Sequence, residues 1–129
     1  MGAGVLLRVV LADDHDLVRE GLRALFERNS DWTVCGEAKN GLEAIDLVSK
    51  LHPDQIVLDL SMPEMNGIQA AARIREISPK TKIVMLSMHS SAYSAEEAFR
   101  AGVSAYVTKS EAGTALMRTV SELFANPRA

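Results

Sequence analysis

Gln55-Ile56-Val57-Leu58-Asp59-Leu60 is a near-continuous apolar run of strand length that closes on a carboxylate. A strand this apolar has both faces covered, the situation of a central strand in a parallel sheet. Asp59 near its end stands out for that reason. Upstream, Pro53 stops a helix; downstream, Asn66-Gly67 marks a turn. Gly67, Ala70, Ala71, Ile74 and Ile77 then fall at helical spacing, and the helix they predict ends before Pro79. Small residues on that face imply close packing on the sheet.

The same alternation extends in both directions. Toward the C-terminus, residues 82–87 read as a strand, and a helix of less sharply marked start runs to Ala101. Gly102 suits the left-handed position beyond it. Ala105 to Thr108 forms a last strand, and Leu116, Val120 and Leu123 stripe a last helix before Pro127. Toward the N-terminus, residues 6–12 read as the first strand, followed by a helix with Val18, Leu22, Leu25 and Phe26 on one face and Asp16 as its cap. Trp32 to Ala38 is the second strand. Asn40 and Glu43 then have capping-box spacing before a helix expected to carry Leu42, Ile45 and Val48 inward. Strand and helix alternate five times over, which is the signature of βαβ units around one parallel sheet.

The chain has 129 residues, 47% hydrophobic and 24% charged, which fits one domain and leaves little room for a second. A mean hydropathy of +0.03 argues against disorder. No apolar stretch approaches the roughly 20 residues that cross a bilayer. The segment from Val5 to Ala12 is broken by Arg8 and runs into Asp13 and Asp14, unlike a signal peptide. The expected compartment is the cytoplasm. Cys35 is the one cysteine, so no internal disulfide forms and the thiol is expected to pack as a small apolar group. Fourteen Lys and Arg against 17 Asp and Glu, with no basic cluster, exclude direct nucleic-acid binding by this segment.

In an open parallel sheet, ligands bind beyond the carboxyl ends of the strands. The polar residues that end apolar runs are Asp13 and Asp14 after the first strand, Asp59 at the third, Ser87 at the fourth and Lys109 after the fifth. Any one of these acids alone reads as a turn residue or a cap. Three carboxylates within a few ångströms would repel, raising at least one pKa unless a cation neutralises them. An oxygen-only set with room for waters and a phosphoryl group suits Mg²⁺ better than zinc or copper. Trp32 and the six methionines read as filler.

Asp13-Asp14, Asp59, Ser87 and Lys109, with residues 59–67 reading DLSMPEMNG, resemble the receiver domain of two-component response regulators. The likeness covers almost the whole chain. It implies a flavodoxin-like (CheY-like) doubly wound sheet with strand order 2-1-3-4-5, in a receiver domain spanning 1–125, with 126–129 beginning a linker or tail. LSMHS at 86–90 and ADDH at 12–15 look most like the subclass with a LuxR-type helix-turn-helix output (NarL/FixJ type).

The resemblance further implies that Asp59 accepts a phosphoryl group from a phosphohistidine of a sensor histidine kinase. Asp14 and Asp59 would ligate Mg²⁺, with the Ser61 backbone carbonyl as a further ligand and Asp13 acting through a water. Lys109 would pair with the phosphoryl oxygens, and Ser87 and Tyr106 would form the switch pair. Its chemistry would be limited to slow turnover of its own acyl phosphate, and homodimer formation on phosphorylation is left open. Receivers commonly carry proline after the active-site lysine; here Ser110 stands there, which puts the Lys109-Ser110 peptide geometry and the lysine's reach in question. His89 and Ser61 occupy positions that in the family influence the lifetime of the phosphoryl group.

Three alternatives remain in view. A stand-alone receiver would act by protein contact. A Mg²⁺-dependent phosphatase of haloacid-dehalogenase type would need a second acid two residues after Asp59, where Ser61 stands. A nucleotide or flavin binder would need a glycine- or hydroxyl-rich cradle after the first strand, where Asp13-Asp14-His15-Asp16 stands.

Overall fold

The computed structural model describes residues 6–88 and 92–125. Five strands alternate with five helices: β1 (Leu7–Ala12), α1 (Asp16–Glu27), β2 (Trp32–Ala38), α2 (Gly41–Leu51), β3 (Gln55–Asp59), α3 (Gly67–Ile77), β4 (Lys82–Ser87), α4 (Ala92–Arg100), β5 (Ala105–Thr108) and α5 (Ala112–Ala125). A short 3₁₀ turn, Lys109–Glu111, joins β5 to α5. All strand pairs are parallel, in the order β2-β1-β3-β4-β5. Chain order therefore reverses between β1 and β3, and the carboxyl ends of these strands open the crevice where such sheets bind ligands.

Strand alternation divides the core into two halves. Val10, Ala12, Ile56, Leu58, Ile83 and Met85 pack with Ala44, Val48, Ala70, Ala71, Ile74 and Ala98, so α2, α3 and α4 cover one face. Val9, Leu11, Val57, Val84, Leu86 and Val107 pack with Leu22, Phe26, Leu116 and Val120, so α1 and α5 cover the other. Every residue of β3 is buried. Trp32 meets Phe26 edge-on, with ring centroids 5.4 Å apart. Cys35 is half-buried against the first core half, and burial pushes its thiol pKa up.

Three helix expectations need correction. Leu42 points to solvent, 53% exposed, while Gly41, Ala44 and Val48 form the buried face of α2. The cause is the tight seat of α2: a Cβ on Gly41 would lie 2.7 Å from the Met65 carbonyl oxygen, so α2 turns this glycine, not Leu42, inward. Asp16 is the first residue of α1, not its cap; His15 holds the cap position without a side-chain cap bond, and the Asp16 carboxylate pairs with Arg19 at 2.8 Å. At α2, Asn40 accepts from the Glu43 backbone N–H at 2.9 Å, but the Glu43 carboxylate reaches the Lys39 N–H instead of closing the box. A full capping box does form at α3, between Asn66 and Gln69. Gly102 takes φ of +105°, as expected of the residue after α4.

Gln55 opens β3 fully buried, and among the described residues neither its amide nitrogen nor its amide oxygen has a hydrogen-bond partner. A buried, unpaired polar group costs about 1–3 kcal/mol. Gln55→Met, which keeps the length and removes the amide, is expected to raise stability by roughly that amount in urea unfolding. An equal or lower midpoint in Gln55→Met would show that the amide is satisfied.

Candidate functional site

The site lies beyond the carboxyl ends of β1, β3 and β5, and the backbone there leaves its side chains little freedom. Asp13 follows β1; its N–H donates to the Ala38 carbonyl at 3.0 Å, and its own carbonyl accepts from Arg19 Nη1 at 2.8 Å. Arg19 is itself buried on α1 and donates to Glu37 on β2 at 2.9 Å, so one guanidinium ties helix, strand and loop together. Asp59 ends β3. The next residue, Leu60, donates to Leu86 at 2.8 Å and accepts from the Gly67 N–H at 2.7 Å. A Cβ on Gly67 would stand 2.4 Å from the Asp59 carbonyl oxygen, so only glycine lets α3 begin this close to the carboxylate-bearing residue.

The side chains converge. Asp13 and Asp59 are 0% and 1% exposed, at the floor of the site. Lys109, with its side chain 11% exposed, places Nζ 3.0 Å from Asp13 Oδ2 and 3.3 Å from Asp59 Oδ2. One ammonium is thus shared between the two buried carboxylates. The Ser61 N–H donates to Asp59 Oδ1 at 3.3 Å. His15 donates its backbone N–H to Asp13 Oδ1 at 2.8 Å and sets Nδ1 3.2 Å from carboxylate oxygens of both Asp13 and Asp14. Asp13, Asp14, His15 and Asp59 each offer a ligand atom within 4.8 Å of all the others.

Electrostatics follow from this crowding. Burial, with the neighbouring Asp13 carboxylate adding to it, pushes the Asp59 pKa from 3.8 up to about 6, and the Lys109 ammonium offsets only part of that rise. Burial alone would lower the Lys109 pKa, yet the carboxylates of Asp13 and Asp59 outweigh it and hold the ammonium above its usual value. One lysine does not balance the acids. A second cation fits the donor set, because two buried carboxylates share one ammonium and four ligand atoms converge within 4.8 Å.

Of the residues expected from sequence, Asp13, Asp14, Asp59 and Lys109 come together, with the Ser61 backbone beside Asp59. Ser87 is buried at the end of β4, one residue past the Asp59 partner Leu86, and it pairs in register with Thr108. Tyr106 sits half-buried on β5, opposite Met85, against the first core half. The Lys109–Ser110 bond is trans, as are all peptide bonds among the described residues, and the lysine reaches both acids without proline behind it. His89 lies outside the described residues. Sequence reasoning quoted His15 without giving it a role and passed over Arg19. The only local hints were an imidazole directly after two acids and the Asp16-to-Arg19 helical spacing.

Comparison with known proteins agrees with this geometry. The response regulator receiver domain model matches residues 9–121. The uncharacterized transcriptional regulatory protein YhcZ of Bacillus subtilis (strain 168) is 41% identical over 113 residues, 88% of this chain and 53% of its own length. The nitrate/nitrite response regulator protein NarL of Escherichia coli (strain K12) is 39% identical over 78% of this chain and 47% of its own. A LuxR-family two-component response regulator from Aurantimonas sp. SI85-9A1 superposes with a TM-score of 0.89 at 38% identity, covering 93% of this chain and 86% of that one. The chain spans about half the length of the curated relatives it matches.

Proposed function

The chain belongs to the response regulator receiver domain family, and from that premise we propose that Asp59 is its phosphoacceptor, fed by a phosphohistidine on a sensor histidine kinase. The observation that carries this reading is the meeting of Asp59, Asp13 and Lys109 from three distant parts of the chain, with one ammonium within 3.3 Å of both buried acids. A carboxylate oxygen of Asp59 attacks phosphorus while the phosphorus–nitrogen bond of the phosphohistidine breaks and the imidazole leaves. The product is an acyl phosphate.

Phosphoryl transfer needs positioning and charge neutralisation more than proton transfer, and this chain's residues are suited to both. Lys109 pairs with the incoming phosphoryl oxygens. The Ser61 N–H steadies one Asp59 oxygen, leaving Oδ2 beside Lys109. Asp14 and Asp59, the Ser61 carbonyl, and Asp13 through a water would hold Mg²⁺, which when bound neutralises charge on the transferring oxygens. The Ser87 hydroxyl then bonds the phosphoryl group, and Tyr106 turns inward to fill the space vacated, so a local charge becomes a change of surface.

The output reading is supported by relatives named as transcriptional regulatory proteins, in which the matched part makes up about half of the length. We read the receiver as 1–125; the linker expected at 126–129 lies outside the described residues, and in this reading a LuxR-type helix-turn-helix domain carries the DNA contact, with a stand-alone receiver acting by protein contact as the second reading. No helix among the described residues is long and apolar enough to cross a membrane, and a cytoplasmic site of action agrees with an intracellular transcriptional output. Incubation with acetyl phosphate and Mg²⁺ is expected to add one phosphate by intact mass, and none to Asp59→Asn. An unchanged mass overturns the proposal. Rapid multiple turnover of an added phosphomonoester overturns it in favour of a phosphatase.

A further inference from the structure

We propose that His15 is a nitrogen ligand of the cation site, so that the site prefers a first-row transition ion such as Mn²⁺ or Co²⁺ over Mg²⁺. The inference rests on reading the acid cluster as a divalent-cation site and adds a ligand and a selectivity to it.

The geometry is specific. His15 Nδ1 stands 3.2 Å from Asp13 Oδ1 and 3.2 Å from Asp14 Oδ1, between the two acids. All four donor atoms of Asp13, Asp14, His15 and Asp59 lie within 4.8 Å of one another. Metal–ligand bonds of about 2.0–2.2 Å place donors on opposite sides of an ion roughly 4.2 Å apart, so modest closure of this cluster brings Asp14, His15 and Asp59 to bonding distance, with Asp13 acting through a water. Asp13 and Asp59 are 0% and 1% exposed, and among the described residues the one cation beside their Oδ2 atoms is the Lys109 ammonium, at 3.0 and 3.3 Å. The His15 backbone N–H is tied to Asp13 Oδ1 at 2.8 Å, which fixes the residue beside the acids. The His15 side chain is 63% exposed, which leaves it free to adjust around an ion.

The chemistry sets the preference. Mg²⁺ demands a near-octahedral oxygen shell and gives up water reluctantly. Imidazole suits the later first-row ions, whose affinity for a given nitrogen and oxygen set rises along the series from Mn²⁺. Replacing one water of the shell by the His15 nitrogen therefore gains more for those ions than for Mg²⁺.

Mn²⁺ titration followed by electron paramagnetic resonance reads ligand identity directly. With histidine labelled by ¹⁵N, the bound ion in the parent chain is expected to show nitrogen modulation that changes with the label and vanishes in His15→Asn, while Mn²⁺ still binds through the carboxylates. Asparagine is a favoured residue at the cap position that His15 holds, so this variant is compatible with the start of α1. The preference for Co²⁺ over Mg²⁺ is expected to fall about tenfold or more in the same variant. Bound Mn²⁺ with no histidine nitrogen coupling overturns the role of His15 and leaves the cation site standing. A free-ion signal undiminished by protein overturns the cation site itself, and the inference with it.

Discussion

Asp59→Asn is expected to be more stable than the parent chain by about 3 kcal/mol at pH 8 without divalent cation, and equal to it near pH 4. The Asp59 carboxyl has a pKa of about 6 in the folded protein against an ordinary 3.8, because it is 1% exposed and faces Asp13. Between those values the folded chain holds a proton that the unfolded chain has released. Stability therefore falls as pH rises from about 4 to about 6, and the full cost is present above that interval. Asparagine has nearly the same shape and no charge to desolvate, so it removes the cost; Lys109 keeps Asp13 as a partner at 3.0 Å. Urea midpoints at pH 4 and pH 8 check this. A variant no more stable at pH 8, or a gap of the same size at both pH values, would show that Asp59 is not strained. Divalent cation at a hundred times its dissociation constant is expected to stabilise the parent by about 2.7 kcal/mol and so close most of the gap.

That stored cost explains why the acids were legible in sequence while their supports were not. Asp13, Asp59 and Lys109 end apolar runs, and a strand's end is visible as a change of residue type, so topology alone brings them to one edge of the sheet. The bounds of β2, β4 and β5 follow from the same contrast, and the faces of α3 and α5 from helical spacing. The inward face expected for Leu42 is wrong because α2 carries small apolar residues at 41 and 44 beside large ones at 42 and 45, so two apolar faces lie one residue apart. Which face is buried was decided by the close approach of Gly41 to the Met65 carbonyl, a contact between distant segments. Arg19 was missed because a charged residue on an amphipathic helix reads as solvent-facing. Its burial is supported by Asp13, Asp16 and Glu37, of which only Asp16 is near enough on the helix to be seen in spacing. His15 and the 3₁₀ turn at Lys109 likewise depend on partners that only folding supplies.

Lys109→Met is expected to cost about 3–5 kcal/mol at pH 8, because it leaves two buried carboxylates without their cation. Methionine keeps most of the length and apolar contact of the lysine stem, so packing loss is a minor part of the change. The ammonium sits 3.0 and 3.3 Å from Asp13 and Asp59. Its pKa is raised above 10.5, so its contribution is undiminished across pH 5 to 8. The damage should nevertheless depend on pH, since below about 6 Asp59 takes up a proton and one of the two charges disappears. The loss is therefore expected to shrink at pH 5, to shrink again when Asp59→Asn is combined with Lys109→Met, and to be offset by Mg²⁺ more strongly than in the parent. Phosphoryl uptake from acetyl phosphate should slow about 10²–10³-fold even with Mg²⁺ present, as when one preorganised charge is removed from a developing anion. Urea unfolding at both pH values and a time course of intact mass read these effects separately. An equal loss at pH 5 and pH 8 would mean that Lys109 acts by packing, and an unchanged uptake rate would remove it from the transfer step while leaving its structural role.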